Sequence, residues 1–254
     1  MEFLNELFAR NPALFVFGLV CLVSGLITGG LVVFSEVQVL GINAWIKPAK
    51  FLLSSWIFCW TMGWLLAYLN RSGHVTAYTW TVVAVMTFEL VYIILKAAQG
   101  ELSHFNISTP FNAFMYGMMG IAISAMTFYT LIIGYYFFKD SFPDLSLAYL
   151  WGIRLGILCF VVFAFEGGIM AQQLAHSYGG PDGGPGIQFL NWSIKYGDLR
   201  VAHFVGMHAL QVLPLLGFYV FSRPREVIIA GAVYILIAFL VLIQALMKIP
   251  LIAR

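Results

Sequence analysis

The residues best suited to chemistry stand together in an apolar stretch, DLRVAHFVGMHALQVLP, at positions 198–214. The stretch opens a segment that continues to Phe221 and is long enough to cross a bilayer as a helix. At about 100° per residue, its polar side chains fall within an arc of roughly 140°. Such groups are costly at membrane depth unless they face a partner or a cavity. We therefore predict a functional site built on Arg200, His203, His208 and Gln211.

These side chains differ in the role that each can take. Histidine titrates near neutral pH, so His203 and His208 are predicted to be catalytic, as general bases or as metal ligands. The guanidinium of Arg200 can hold a phosphate or carboxylate through two parallel hydrogen bonds, and Gln211 adds a polar contact to a substrate. Asp198 precedes the segment and is predicted to cap the helix by accepting backbone N–H groups.

A carboxylate lies deep in another apolar segment, at Glu89. At this depth it must be protonated, paired or turned toward water. We predict that Glu89 is buried, contacts a basic or histidine partner, with Lys96, Arg200 and His203 as the leading candidates, and takes part in catalysis. The structural alternative is a neutral Glu89 that only hydrogen-bonds a neighbouring helix.

Further charged groups occur near the ends of predicted spans. Lys96 follows Glu89 by two turns, and Lys50 begins the segment before it; both are predicted to add positive charge to substrate binding. Lys47 is interpreted as reaching lipid phosphates instead. Glu166 could join the site from the fifth span.

A metal site for zinc or iron would need three or four converging ligands. The candidates are His104, His203 and His208, together with a carboxylate. His203 and His208 are five residues apart, so they do not reproduce the four-residue spacing of HExxH. Haem is the less favoured cofactor, because no two histidines lie inside separate predicted spans.

The elements that must position these residues are membrane helices. The 254-residue chain is 61% hydrophobic and 9% charged, whereas soluble domains are about a quarter charged. This composition predicts an all-α polytopic membrane protein, a seven-transmembrane-helix bundle forming one integral membrane domain, with a polar chamber in one leaflet. The spans are predicted at approximately 12–35, 48–69, 75–98, 111–138, 146–170, 199–221 and 226–248.

The connections differ in character on the two sides of the predicted membrane. The first, third and fifth are long and polar, and the fifth contains GGPDGGPG, which is typical of a lid or a disordered segment. Arg10 before the first span and Glu36 after it favour a cytoplasmic N-terminus in a multi-pass protein of the cell membrane. The net charge of +2 gives no indication of a nucleic-acid partner. The expected partners are the lipid bilayer and a small-molecule or lipid ligand.

These features favour a membrane-embedded enzyme that acts on a lipid or a lipophilic anionic substrate, with or without a metal. The alternative is a proton- or ion-coupled transporter of a small solute, in which Glu89 carries the proton. A haem-binding redox protein comes third. A purely structural role, in which the polar groups join helices, also stays open.

Overall fold

The computed structural model describes residues 2–252 and confirms an all-α protein with seven long apolar helices. A short helix, α1 (Glu2–Arg10), precedes them. The seven are α2 (Pro12–Phe34), α3 (Ile46–Leu66), α4 (Ser72–Ala98), α5 (Pro110–Lys139), α6 (Leu147–Gln173), α7 (Leu199–Tyr219) and α8 (Pro224–Leu246). All seven are long and apolar enough to cross a membrane. Their ends lie within three residues of the predicted spans.

Local signals explain where several helices begin. The side chains of Asn11 and Ser146 each accept a hydrogen bond from the backbone N–H three residues later, which satisfies a donor that the first turn would otherwise leave unpaired. Proline follows Asn11 at the first helical position, where its missing N–H costs nothing. Asp198 caps α7 by accepting from the N–H of Arg200, which confirms the predicted cap.

The chain divides into two compact units, residues 1–126 and 127–254, with the boundary inside α5. The first unit contains α1 to α4, the first part of α5 and a two-stranded hairpin of β1 (Gln38–Val39) and β2 (Ile42–Asn43). The second contains the rest of α5, α6 to α8 and an antiparallel pair of β3 (Ser177–Tyr178) and β4 (Gly197–Asp198). That they form one membrane domain stays a prediction.

Glycines bring α6 and α7 into close contact in the second unit. A methyl group on Gly152 would lie 2.4 Å from the carbonyl oxygen of Leu213, and one on Gly217 would lie 2.5 Å from that of Ala148. Both distances are shorter than real contacts of this kind, so only glycine allows the backbones to approach this closely. The contact fixes the register of the two helices and thereby the side chains that face each other.

The connection between α6 and α7, residues 174–198, is folded back on the second unit. Besides the β3–β4 pair, it contains an isolated antiparallel bridge between Gly186 and Ser193. A methyl group on Gly197 would collide with the backbone carbonyl of Ala245 in α8, so the connection lies directly against that helix. We call this segment the α6–α7 connection.

Candidate functional site

Glu166 and His203 bring a carboxylate and a histidine together inside the helices. Glu166 projects from α6 and His203 from α7, and Glu166 Oε2 lies 3.3 Å from His203 Nδ1. The Glu166 side chain is only 4% exposed, whereas the His203 side chain is 31% exposed. A methyl group on Gly167 would touch the His203 ring at 3.3 Å, so this glycine leaves room for the imidazole. We call Glu166 and His203 the carboxylate–histidine pair.

The pair is close but does not form a hydrogen bond. Within residues 2–252, neither oxygen of Glu166 nor Nδ1 of His203 has a hydrogen-bond partner of acceptable geometry. Buried polar atoms are usually satisfied, and an exception in a native fold calls for an explanation. Because the two atoms are already 3.3 Å apart, a small rotation of the imidazole would complete a charge-assisted hydrogen bond. With Nδ1 turned to the carboxylate, Nε2 is the nitrogen left for a substrate.

His208 lies in a different environment on the same helix. Its Nδ1 is 3.1 Å from the amide oxygen of Gln211, and its ring packs at 4.2 Å, between centroids, on Phe204. Phe204 in turn contacts Trp192 of the α6–α7 connection. A neutral amide does not stabilise an imidazolium as a carboxylate does, so the geometry favours His203 over His208 as the base. The catalytic role of either histidine, and substrate binding by Gln211, stay predictions.

Arg200 is engaged within the protein. Its Nε and Nη2 donate to the two oxygens of Asp198 at 2.9 and 2.6 Å, and Nη2 also donates to the carbonyl of Asn191. The Asp198 side chain is 0% exposed and also accepts from the N–H of Ser193. The two parallel hydrogen bonds that we expected Arg200 to donate to a substrate anion are therefore donated to Asp198. Substrate binding by Arg200 stays a prediction, and it would use Nη1 or displace Asp198.

Glu89 is buried as expected, with 6% of the residue exposed. Lys96 binds Glu101 at 2.7 Å, and Lys47 is a basic group that interacts electrostatically with Glu89. A direct contact of Glu89 with Lys96, Arg200 or His203 stays a prediction. Among the described residues, no donor forms a hydrogen bond with Glu89 Oε1. Lys47, assigned to lipid phosphates from the sequence, thus lies near the most deeply placed carboxylate of the first unit.

The remaining predicted site residues lie in the first unit. Lys50 is half-buried in the first turn of α3. His104 is half-buried in the connection before α5, with its ring against Phe51 and Tyr116. Across residues 2–252, no group of three or more His, Cys, Asp or Glu side chains is arranged to hold a metal ion. The metal role of His104, His203 and His208 gains no support from this arrangement.

The sequence analysis named Glu166 as a residue that could join the site but did not predict its pairing with His203. It lies seven residues before the end of α6, and His203 lies four residues after the start of α7. At 1.5 Å per residue, both are therefore about 6–10 Å from the helix ends joined by the α6–α7 connection. This matching depth in consecutive antiparallel spans is the signal that could have paired them.

No protein-family model matches the chain, and no curated protein and no solved structure is significantly similar to it.

Proposed function

We propose that this protein is a membrane-embedded enzyme in which His203 acts as a general base, oriented by Glu166, on a lipophilic substrate. One observation supports the proposal above all others. A buried carboxylate lies 3.3 Å from a partly exposed imidazole inside two membrane helices, and the polar atoms that face each other are not otherwise bonded.

The chemistry follows from the orientation of the imidazole. Glu166 accepts a hydrogen bond from Nδ1–H and so favours the tautomer whose Nε2 has a free lone pair. Nε2 removes a proton from a substrate hydroxyl or from a water molecule, and that oxygen bonds to the carbonyl carbon or phosphorus of a lipid ester while the bond from that atom to the leaving oxygen breaks. The imidazolium is stabilised by the Glu166 carboxylate and later returns the proton to the leaving group. A positioned base of this kind typically accelerates a reaction about 10²- to 10⁴-fold.

The position of the pair indicates the class of substrate. A group about 6–10 Å inside the helix ends lies near the boundary between lipid headgroups and acyl chains. An amphiphilic lipid places its ester, phosphate or hydroxyl groups at this level. Arg200 is one helical turn from His203, where its Nη1 supplies positive charge for an anionic headgroup. Zinc or iron is not part of this proposal.

Lipid turnover by the purified full chain tests the proposal. The protein is placed in nanodiscs made from a total membrane lipid extract, and the lipid species are followed by mass spectrometry. We expect the wild-type protein to convert one lipid class, and His203→Gln and Glu166→Gln to lower the rate at least about 100-fold. Glu36→Gln, which changes an exposed glutamate of the first unit, serves as the matched control. A wild-type protein that changes no lipid, or a His203→Gln variant of undiminished rate, would refute the enzyme.

A proton-coupled transporter is the second candidate, and Glu89 is the observation that favours it. A buried carboxyl oxygen without a hydrogen bond is suited to binding and releasing a proton. Proton flux is measured in liposomes with a pH-sensitive dye enclosed, while candidate anionic solutes are added outside. Transport requires solute-dependent flux that Glu89→Gln abolishes; flux equal to that of empty liposomes would rule it out.

A further inference from the structure

Arg154 is a cation on the lipid-facing side of α6. It lies seven residues after the start of that helix, which is about 10 Å along the axis. The exposed apolar side chains of α6 include Leu147, Leu158 and Val162, and helical spacing places Arg154 on the same stripe. An arginine in this position is costly unless its charge reaches the lipid headgroups or meets an opposite charge.

The guanidinium of Arg154 is held in place by α5 and α6. Its Nε donates to the carbonyl oxygen of Phe137 at 2.8 Å, and its Cζ lies 5.1 Å from the ring centroid of Phe138 and 5.2 Å from that of Trp151. Phe137 is in the last turn of α5, whose carbonyls have no partner within the helix. The hydrogen bond therefore caps α5, and it uses one of the three guanidinium nitrogens.

The other two nitrogens of Arg154 point to the surface. Within residues 2–252, Nη1 and Nη2 form no hydrogen bond and no ion pair. Neither atom is among the buried polar atoms that lack a partner, so both are accessible. A guanidinium that is fixed through Nε and has two accessible N–H groups is suited to the oxygens of a phosphate.

A second cation follows the residues that hold Arg154. Lys139 is exposed in the last turn of α5, and its Nζ lies 5.7 Å from the ring centroid of Tyr135. Tyr135 and Phe138 are both exposed and three residues apart, so they share one face of α5. Across the described part of the chain, neither Lys139 nor Arg154 forms an ion pair with a carboxylate. The surface therefore carries two positive charges that no carboxylate of residues 2–252 pairs.

We propose that Arg154 and Lys139, with the aromatic rings beside them, form a binding site for an anionic phospholipid. Nη1 and Nη2 of Arg154 donate to oxygens of the lipid phosphate, and Lys139 adds positive charge at the edge of the site. The acyl chains lie along the apolar stripe that continues from Arg154 through Leu158 and Val162. Basic surfaces between membrane helices are suited to anionic headgroups in this way.

The arrangement favours a lipid whose headgroup has no positive charge. A choline cation binds to the faces of aromatic rings. Here Arg154 and Lys139 already lie against Phe138 and Tyr135, and they would repel a third cation. Glu166 is twelve residues from Arg154 on α6, about 18 Å along the axis, so this site is separate from the carboxylate–histidine pair.

Native mass spectrometry of the purified full chain in detergent micelles tests the site. The protein is titrated with phosphatidylglycerol and, separately, with phosphatidylcholine of the same acyl chains. We expect one saturable site that binds phosphatidylglycerol at least about fivefold more tightly. Arg154→Gln should lower that affinity about 5- to 30-fold, and Lys139→Gln about fivefold. Arg225→Gln removes the same charge at an exposed position of α8 and, as the matched control, should stay within about twofold of wild type.

The two site variants differ in their demands on the fold. Arg154→Gln also removes the hydrogen bond to Phe137, so circular dichroism and the thermal midpoint check that it is folded. Lys139→Gln breaks no hydrogen bond within residues 2–252 and decides the matter if Arg154→Gln does not fold. Equal affinity for the two lipids, wild-type affinity in Lys139→Gln, or an equal loss in Arg225→Gln and Arg154→Gln would overturn the site. Displacement of the lipid by inorganic phosphate at the same concentration would also overturn it, because the acyl chains would then contribute nothing.

Discussion

Carboxylates in the membrane helices and carboxylates in the α6–α7 connection differ in whether their oxygens accept hydrogen bonds. In the helices, Glu166 and Glu89 are buried and keep oxygens that accept no hydrogen bond from the described residues. In the connection, Asp198 binds Arg200 and the N–H of Ser193, and Asp182 accepts from the backbone of His176 and Ser177 and from the His176 ring. A carboxylate whose oxygens accept hydrogen bonds stabilises its segment. A buried carboxylate without such bonds lowers the free energy of unfolding, so its presence suggests a role in function.

The largest effect is expected on turnover, from substitutions of Glu166 and His203. If Glu166 acts only through His203, the two residues form one unit, and their substitutions are not additive. Glu166→Gln, His203→Gln and the double variant should all lower turnover by a similar factor of about 10²–10⁴. Turnover is measured on the lipid class that the wild-type protein converts. A double variant whose loss equals the product of the single losses would mean that the two residues act separately.

The next largest effect is expected on the free energy of unfolding, from a substitution of Asp198, whose oxygens accept hydrogen bonds. Asp198→Ala leaves the Arg200 guanidinium without its partner and removes the cap of α7. We expect a loss of about 3 kcal/mol in the free energy of unfolding, since breaking a buried ion pair leaves an uncompensated charge. Unfolding is followed by denaturant titration in detergent micelles. Asp144→Ala, at an exposed aspartate, should stay within about 0.5 kcal/mol of wild type; a comparable loss there would show that the assay reports charge rather than the pair.

Sequence reasoning located the spans better than it located the partners. Helix ends follow from apolar runs and from local caps such as Asn11 and Asp198, both of which can be read over three or four residues. The partners of Glu166 and Glu89 depend on contacts between helices. Their register is set by backbone approaches such as that of Gly152 to Leu213, which no pattern within a single helix specifies.

The ion pair between Asp198 and Arg200 was not predicted, for a different reason. Asp198 and Arg200 are two residues apart and were interpreted separately, one as a cap and the other as an anion-binding group. An N-cap residue is extended, so its side chain can turn back toward the first helical turn. This allows the two side chains to bind each other while the cap is kept. Local geometry could have indicated this pairing, whereas the electrostatic interaction of Lys47 with Glu89 could not be derived from α3 or α4 alone.

A smaller effect is expected from pH at Asp182. Burial raises the pKa of this carboxyl, but the hydrogen bonds and charge of His176 and the N–H of Ser177 outweigh burial and hold the pKa well below its usual range. The stabilisation is complete above the unfolded-state pKa of about 3.9 and is lost as the pH falls toward the folded-state value. Hydrogen exchange in residues 174–198, corrected for intrinsic rates, should therefore accelerate below about pH 4, by an amount equivalent to about 2 kcal/mol. Asp182→Asn should abolish this pH dependence, and an unchanged profile in that variant would assign it to another group.

The smallest effect is expected at Glu89, where a substitution should raise the free energy of unfolding rather than lower it. Glu89 is buried with an oxygen that accepts no hydrogen bond from residues 2–252, so the folded protein carries its desolvation cost. Methionine has nearly the same length and no polar atom, and replacing a poorly satisfied buried charge with an apolar group of similar volume is often neutral or stabilising. We expect Glu89→Met to raise the free energy of unfolding by about 1 kcal/mol. Denaturant titration in micelles measures this change, with Glu36→Met at an exposed position as the control. A clear loss of stability in Glu89→Met would mean that its interaction with Lys47 holds the first unit together, and Glu89 would then belong with Asp198 among the structural carboxylates.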